Sequence, residues 1–155
     1  MSDPQPRIDW VEETTSTNAD IKARAMDGER GPLWLAARRQ TAGRGRRGRA
    51  WSGLTGNLFA TGLYTFQCDP GRAAELSFAA ANAVGAVCDA ALGDPALTRL
   101  KWPNDALVAG RKAAGILLES GPAPGGGLWL AVGIGINLAE APEDVERPAT
   151  ALAHH

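Results

Sequence analysis

Leu76, Ala80, Ala83, Val84, Val87 and Ala91 recur at spacings of three and four across Pro70–Leu92. That is the period of an amphipathic helix, and it is the clearest one in the chain. Its alanines permit close packing against a sheet, and Gly93-Asp94-Pro95 ends it. Short apolar segments follow, which read as strands: Leu97–Lys101, Asp105–Ala109, Lys112–Glu119 and Leu128–Ile134. Pro103, Gly110 and "GPAPGGG" separate them, so the last three predict an antiparallel meander. Upstream, Ile8–Glu12, Leu33–Ala37 and Asn57–Tyr64 also read as strands. "TTSTNADIKARAMDG" reads as a helix start, with Ser16 or Thr17 as cap, Asp20 three residues after Thr17, and Gly28 as the stop. Met1–Arg7, with two prolines, predicts a loose lead-in. Runs of strands with two helices predict an α+β domain: a mixed, mainly antiparallel sheet with helices packed on one face. With 155 residues, no internal repeat and no linker, residues 1–155 form one domain.

The net charge is −1, which argues against a general nucleic-acid binder. The basic charge is local: six of the sixteen Lys and Arg residues fall within Arg38–Arg49. Cys68 and Cys88 belong to no CxxC or metal-ligand cluster and read as reduced thiols. His154 and His155 are terminal, which argues against histidine catalysis or a histidine metal site. No secretory signal opens the chain and no apolar run is expected to span a bilayer, so a cytoplasmic protein is the default. The proline-rich, acidic "AEAPEDVERPATALA" follows the last strand closely, which predicts that a covering element is missing and the chain incomplete.

The loop "TAGRGRRGRAW", Thr41–Trp51, matches G-x-G-x-x-G at Gly43, Gly45 and Gly48. A dinucleotide fingerprint needs a helix opening inside the motif and an acidic residue about twenty positions on. Here no helix is predicted, position 63 is Leu, and the nearest acidic residue is Asp69. What remains is the physics of the loop. Glycines bring backbone N–H groups close to an anion, arginines add bidentate donors for phosphate, and Trp51 offers a flat wall. A small-molecule phosphate site is the favoured reading, with a nucleic-acid segment or a solvated loop as alternatives. "KWPND", Lys101–Asp105, places two polar side chains behind a rigid proline at a strand end; an Asn-Asp turn is the plain alternative. The next hairpin folds Lys112 back near Asp105, although a strand-edge lysine is ordinary by itself. Gly115 within a strand suggests close approach of a ligand. "GIGIN", Gly133–Asn137, ends the last strand with two glycines and an amide, or is a simple bulge.

Ser16-Thr17-Asn18, Gln40 with "GRGRRGRAW", "KWPND", "RKAAGILLE" and "GIGIN" occur in this order from about Thr14 to Leu152. Together they resemble the catalytic domain of biotin protein ligases. The resemblance implies a ligase that joins biotin to ATP, giving biotinyl-5′-adenylate and pyrophosphate. It then passes biotin to one lysine of a biotin carboxyl carrier domain. It implies biotin contacts from Ser16, Thr17, Asn18, Gln40, Arg44, Gly45, Arg46, Lys112 and Gly115. It implies adenylate or ATP contacts from Gly43, Arg44, Gly45, Arg46, Arg49, Trp51, Lys101, Asn104, Asp105 and Asn137. Arg46, Lys112 and Asp105 would be catalytic. Mg²⁺ would be held by ATP phosphates, with no protein ligand assigned. A homodimer is allowed, and neither nucleic acid nor a membrane is expected as a partner. The family's small C-terminal β-domain and the N-terminal DNA-binding domain of many members are not in the sequence. A lipoate or octanoate ligase or transferase of the same fold, or a non-catalytic biotin-binding module, are the alternatives.

Overall fold

The computed structural model describes residues 5–155. Most of the expected lead-in, residues 1–4, lies outside the described residues, and Arg7 already opens the first strand. The elements are β1 (Arg7–Thr14), α1 (Thr17–Met26), β2 (Leu33–Gln40), β3 (Leu58–Phe66) and α2 (Pro70–Leu92). They continue with β4 (Thr98–Lys101), β5 (Asp105–Val108), β6 (Arg111–Pro122) and β7 (Leu128–Ile136). All seven strands form one sheet in the order β1-β2-β3-β7-β6-β5-β4. Only β1 and β2 run parallel, because α1 carries the chain back between them; every other neighbour is antiparallel. The expected meander is β5-β6-β7.

The helices do not share a face, which corrects the expected layering. On β7, Leu128, Leu130 and Val132 pack with Ala73 of α2, whereas Trp129 and Ala131 pack with Ile21 and Ala25 of α1. Neighbouring strand residues point to opposite sides of a sheet, so the two helices sandwich it. "LWLAVGIGI" of β7 is therefore apolar without alternation: both of its faces are covered. Ile21, Leu33, Leu35 and Leu63 form the core under α1, and each buried side chain of this size contributes about 1.5–3 kcal/mol.

Ser16 caps α1, its Oγ accepting from the Ala19 N–H at 3.4 Å. Gly93 closes α2 at φ 69°. By length and composition α2 is long and apolar enough to cross a bilayer, where the sequence leads one to expect no such segment. Here it lies on the sheet through Ala73, Val84, Gly85 and Cys88. A side chain at Gly85 would come within 3.2 Å of Leu100 on β4. Cys88 is buried and Cys68 exposed, both as free thiols.

Candidate functional site

A cavity of about 480 Å³ opens on the α1 side of the sheet, between the Thr41–Trp51 loop and the "KWPND" turn. The loop is an ordered hairpin. Its Thr41 and Ala42 N–H groups donate to the Thr14 and Thr15 carbonyls at 2.9 Å. Gly45 N–H donates to Arg49 O at 2.7 Å, and Trp51 N–H to Gly43 O at 2.9 Å. Arg47 (φ 56°) and Gly48 (φ 72°) turn the tip, with no following helix of more than one turn. Gly43 packs behind the loop, where a Cβ would lie 2.7 Å from Trp51 O.

The cluster of six arginines divides. Arg38 and Arg39 lie on β2 and pair with Glu12 and Glu13 of β1, each at 3.2 Å. Arg44, Arg46, Arg47 and Arg49 line the cavity, joined by Lys101, Lys112 and Arg147. Asp105 is the one carboxylate among the lining residues. Seven cations against one carboxylate, in a chain of net charge −1, make a site for a multiply charged anion.

Opposite the loop, Asn104 is held from two sides. Its Nδ2 donates to Ile116 O at 3.0 Å and its carbonyl accepts from Ile116 N–H at 2.9 Å. Its Oδ1 is left to accept from Arg46 Nη1 at 3.4 Å, tying the loop to the turn. Lys112 Nζ lies 2.8 Å from Asp105 Oδ1, close enough for an ion pair but not aligned as a hydrogen bond. The same ammonium sits 5.3 Å from the centre of the Trp51 ring, a cation–π distance. The segment after β7 runs beside Lys112: Lys112 N–H donates to Pro148 O, and Thr150 N–H to Lys112 O, both at 2.9 Å.

Trp51 lies over a bare strip of sheet. Gly115 and Gly135 face each other across β6 and β7, and a Cβ on either would come within 2.7 Å or 2.5 Å of the indole. Beyond this strip the cavity ends in a neutral polar cluster. Thr17 N–H donates to Gln40 Oε1 at 2.8 Å. Thr61 Oγ1 lies 2.7 Å from Asn18 Oδ1 and 2.8 Å from Thr17 Oγ1. Asn18 Nδ2 donates to Glu119 Oε2 at 2.9 Å and to Leu117 O at 3.3 Å. Gly133 leaves the room for Asn18, whose Oδ1 occupies the place of a Cβ.

The structure thus gathers Thr17, Asn18 and Gln40 at the neutral end, with Gly115 beneath Trp51 between the two ends. At the charged end it gathers Arg44, Gly45, Arg46, Arg49, Trp51, Lys101, Asn104, Asp105 and Lys112. Ser16, Gly43 and Asn137 do not line the cavity. Ser16 is spent on its helix cap, and Gly43 is covered by Trp51. Asn137 is buried, with its Nδ2 donating to Thr150 O at 3.1 Å, so it anchors the C-terminal segment. Thr61, Glu119 and Arg147 were not legible beforehand. The first two gave no signal beyond their places in apolar strands, and Arg147 sits in a segment that reads as acidic. Among the described residues no three His, Cys, Asp or Glu side chains cluster as a metal cage.

Residues 10–138 match the model of the Biotin/lipoate A/B protein ligase family. The chain belongs to that family. Among biotin/lipoate ligases, a biotin–[acetyl-CoA-carboxylase] ligase of Paracoccus denitrificans is 48% identical over 130 residues, 84% of this chain and 54% of that protein. The ligase of the same name from Mycobacterium tuberculosis is 39% identical over 150 residues, 94% of this chain and 54% of that one. The chain therefore spans about half the length of these curated relatives. The crystal structure of the Leishmania major biotin protein ligase in complex with biotinyl-5-AMP superposes with a TM-score of 0.76 at 32% identity, covering 97% of this chain and 65% of that one. The Aquifex aeolicus ligase in complex with biotin and ATP gives 0.72 at 31%, covering 96% and 60%. The mixed sheet with two helices is the fold of these ligase structures.

Proposed function

We propose that this chain carries the site at which a biotin protein ligase activates biotin with ATP and passes it to a lysine of a biotin carboxyl carrier domain. The observation that carries the reading is the cavity's polarity: seven cations at one end, the uncharged Thr17, Asn18 and Gln40 side chains at the other, and the Trp51 indole, seated on Gly115 and Gly135, between. Biotin has the matching shape, with a polar ring at one end and a carboxylate at the other.

Gln40, Thr17 and Asn18 hold the ring, and the chain of the ligand runs past Trp51, whose indole covers Gly115 and Gly135. The biotin carboxylate oxygen attacks the α-phosphorus of ATP, the new P–O bond forms, and pyrophosphate leaves with its electron pair. Two anions must meet for that to happen. Arg44, Arg46 and Lys112 lower the barrier by neutralising and aligning them, without a covalent enzyme intermediate. Asp105 holds the Lys112 ammonium 2.8 Å away at the junction of the two ends. The carrier lysine's amine then attacks the acyl carbon, AMP leaves, and an amide remains. Water would destroy the mixed anhydride, and the Thr41–Trp51 hairpin shields it. Mg²⁺ fits as a companion of the phosphates: with Asp105 the one carboxylate lining the cavity, the metal would be bound through triphosphate oxygens and at most that side chain. When bound it neutralises phosphate charge. A cytoplasmic setting suits a reaction that consumes ATP.

The test is biotin-dependent exchange of labelled pyrophosphate into ATP, with lipoate in a parallel arm. Exchange with biotin alone supports the reading. Exchange with lipoate alone would transfer it to the lipoate branch of the family, and biotin binding without exchange would leave a binding module.

A further inference from the structure

Glu119 lies on β6 behind Asn18, outside the lining of the cavity, and the reaction proposed above makes no use of it. Its place in the hydrogen-bond chain is nevertheless decisive. Carboxylate and carbonyl oxygens only accept. Asn18 Nδ2 faces two of them, Glu119 Oε2 at 2.9 Å and Leu117 O at 3.3 Å, so the amide nitrogen must point that way. Asn18 Oδ1 is thereby turned to Thr61, at 2.7 Å. That oxygen carries no proton, so the Thr61 hydroxyl donates to it. Thr61 is fully buried and has one proton, so the Thr17 hydroxyl donates in turn, facing two acceptors, Thr61 Oγ1 at 2.8 Å and Gln40 Oε1 at 3.1 Å. The Thr17 hydroxyl is then spent as a donor and keeps only acceptor capacity. Gln40 Oε1 already accepts from Thr17 N–H, which leaves the Gln40 amide nitrogen as the free donor.

We infer that Glu119 is a positioning residue that sets the donor–acceptor direction of the whole cluster, and so selects a cyclic urea over an apolar ring. A cyclic urea offers N–H donors beside a carbonyl acceptor. The cluster offers the converse: an acceptor at Thr17 and a donor at Gln40. A dithiolane ring, as in lipoate, has neither group and would leave both buried partners unpaired. The inference rests on the biotin reading above.

Calorimetric titration of the full chain with biotin and with lipoate tests it. Glu119→Gln keeps an acceptor for Asn18 and should stay within about threefold of the unaltered chain for biotin. Glu119→Leu removes it and should raise the biotin Kd by about tenfold or more, with the KM for ATP and the melting temperature unmoved. Asn18→Asp places two carboxylates together and should also weaken biotin. Adding Glu119→Gln to it should restore part of the binding, because the amide introduced on β6 then donates to one oxygen of the new carboxylate on α1 while Thr61 donates to the other, with only the Leu117 carbonyl left facing it. Should Glu119→Leu fail to fold, this swap decides alone. Wild-type biotin affinity in Glu119→Leu, or a double variant no better than Asn18→Asp, would overturn the positioning role and leave the proposed function standing. No biotin binding by the unaltered chain would overturn both.

Discussion

At the residue scale, the site depends on what is missing from side chains as much as on what is present. Gly115 and Gly135 leave room for Trp51, and a methyl at Gly115 would press on its ring from 2.7 Å. Gly115→Ala should weaken biotin by about tenfold or more, read by titration, because overpacking typically costs about 1–3 kcal/mol. Arg46 donates to Asn104 at the charged end of the cavity. Arg46→Ala should hasten release of the adenylate more than it weakens binding of free biotin; the opposite pattern would remove Arg46 from phosphate. Burial pushes the Cys88 thiol up, with Asp89 adding to it, whereas Cys68 is exposed. A thiol reagent should therefore titrate one cysteine in the native protein and the second only in denaturant. The arginine-rich loop was legible as a local concentration of positive charge, and four of its arginines line the cavity. That Arg38 and Arg39 pair with β1 instead was not, because the pairing depends on which strand lies alongside.

At the element scale, helix α2 and the strand meander could be read from periodicity and turn residues, and their bounds agree closely with the observed ones. The covering of both sheet faces could not. β7 carries the signal in its unbroken apolar run, yet such a run also fits a buried strand in a one-sided layer with a tight neighbour. The crossover through α1 is tied to β1 by Arg24 and Asp9. The Arg24 guanidinium, chiefly, holds the Asp9 carboxyl below its ordinary value of 3.8. A lowered carboxylate stabilises the fold above that value and loses the contribution as pH falls through its folded one. Arg24→Ala should cost about 0.5–1 kcal/mol near neutral pH and progressively less as the pH falls below the ordinary carboxylate value, measured by denaturant unfolding across that range; the pair is partly exposed, so solvent screening keeps the figure small.

At the scale of the whole molecule, one buried side chain ties the end of the chain to the sheet. Asn57 Oδ1 accepts from the Leu138, Ala139 and Glu140 N–H groups at 2.9, 3.0 and 3.2 Å, and its Nδ2 donates to Glu140 O at 2.8 Å. This fixes the start of the segment that carries Arg147 to the cavity and runs beside Lys112. Asn57→Ala should cost about 1–3 kcal/mol and speed hydrogen exchange at residues 138–140 before the core strands open. Protection that stays unchanged there would show that the turn holds without it. The sequence alone determined the elements, the concentration of positive charge in the loop, and the nearness of Lys112 to Asp105, since each follows from period, residue type or the short reach of one hairpin. Only the tertiary structure decided which glycines serve the cavity, that Ser16, Gly43 and Asn137 do structural work, and that Thr61 and Glu119 join Asn18. Those choices join residues 43 to 101 positions apart in the chain, and only the order of strands in the sheet brings them within hydrogen-bonding distance.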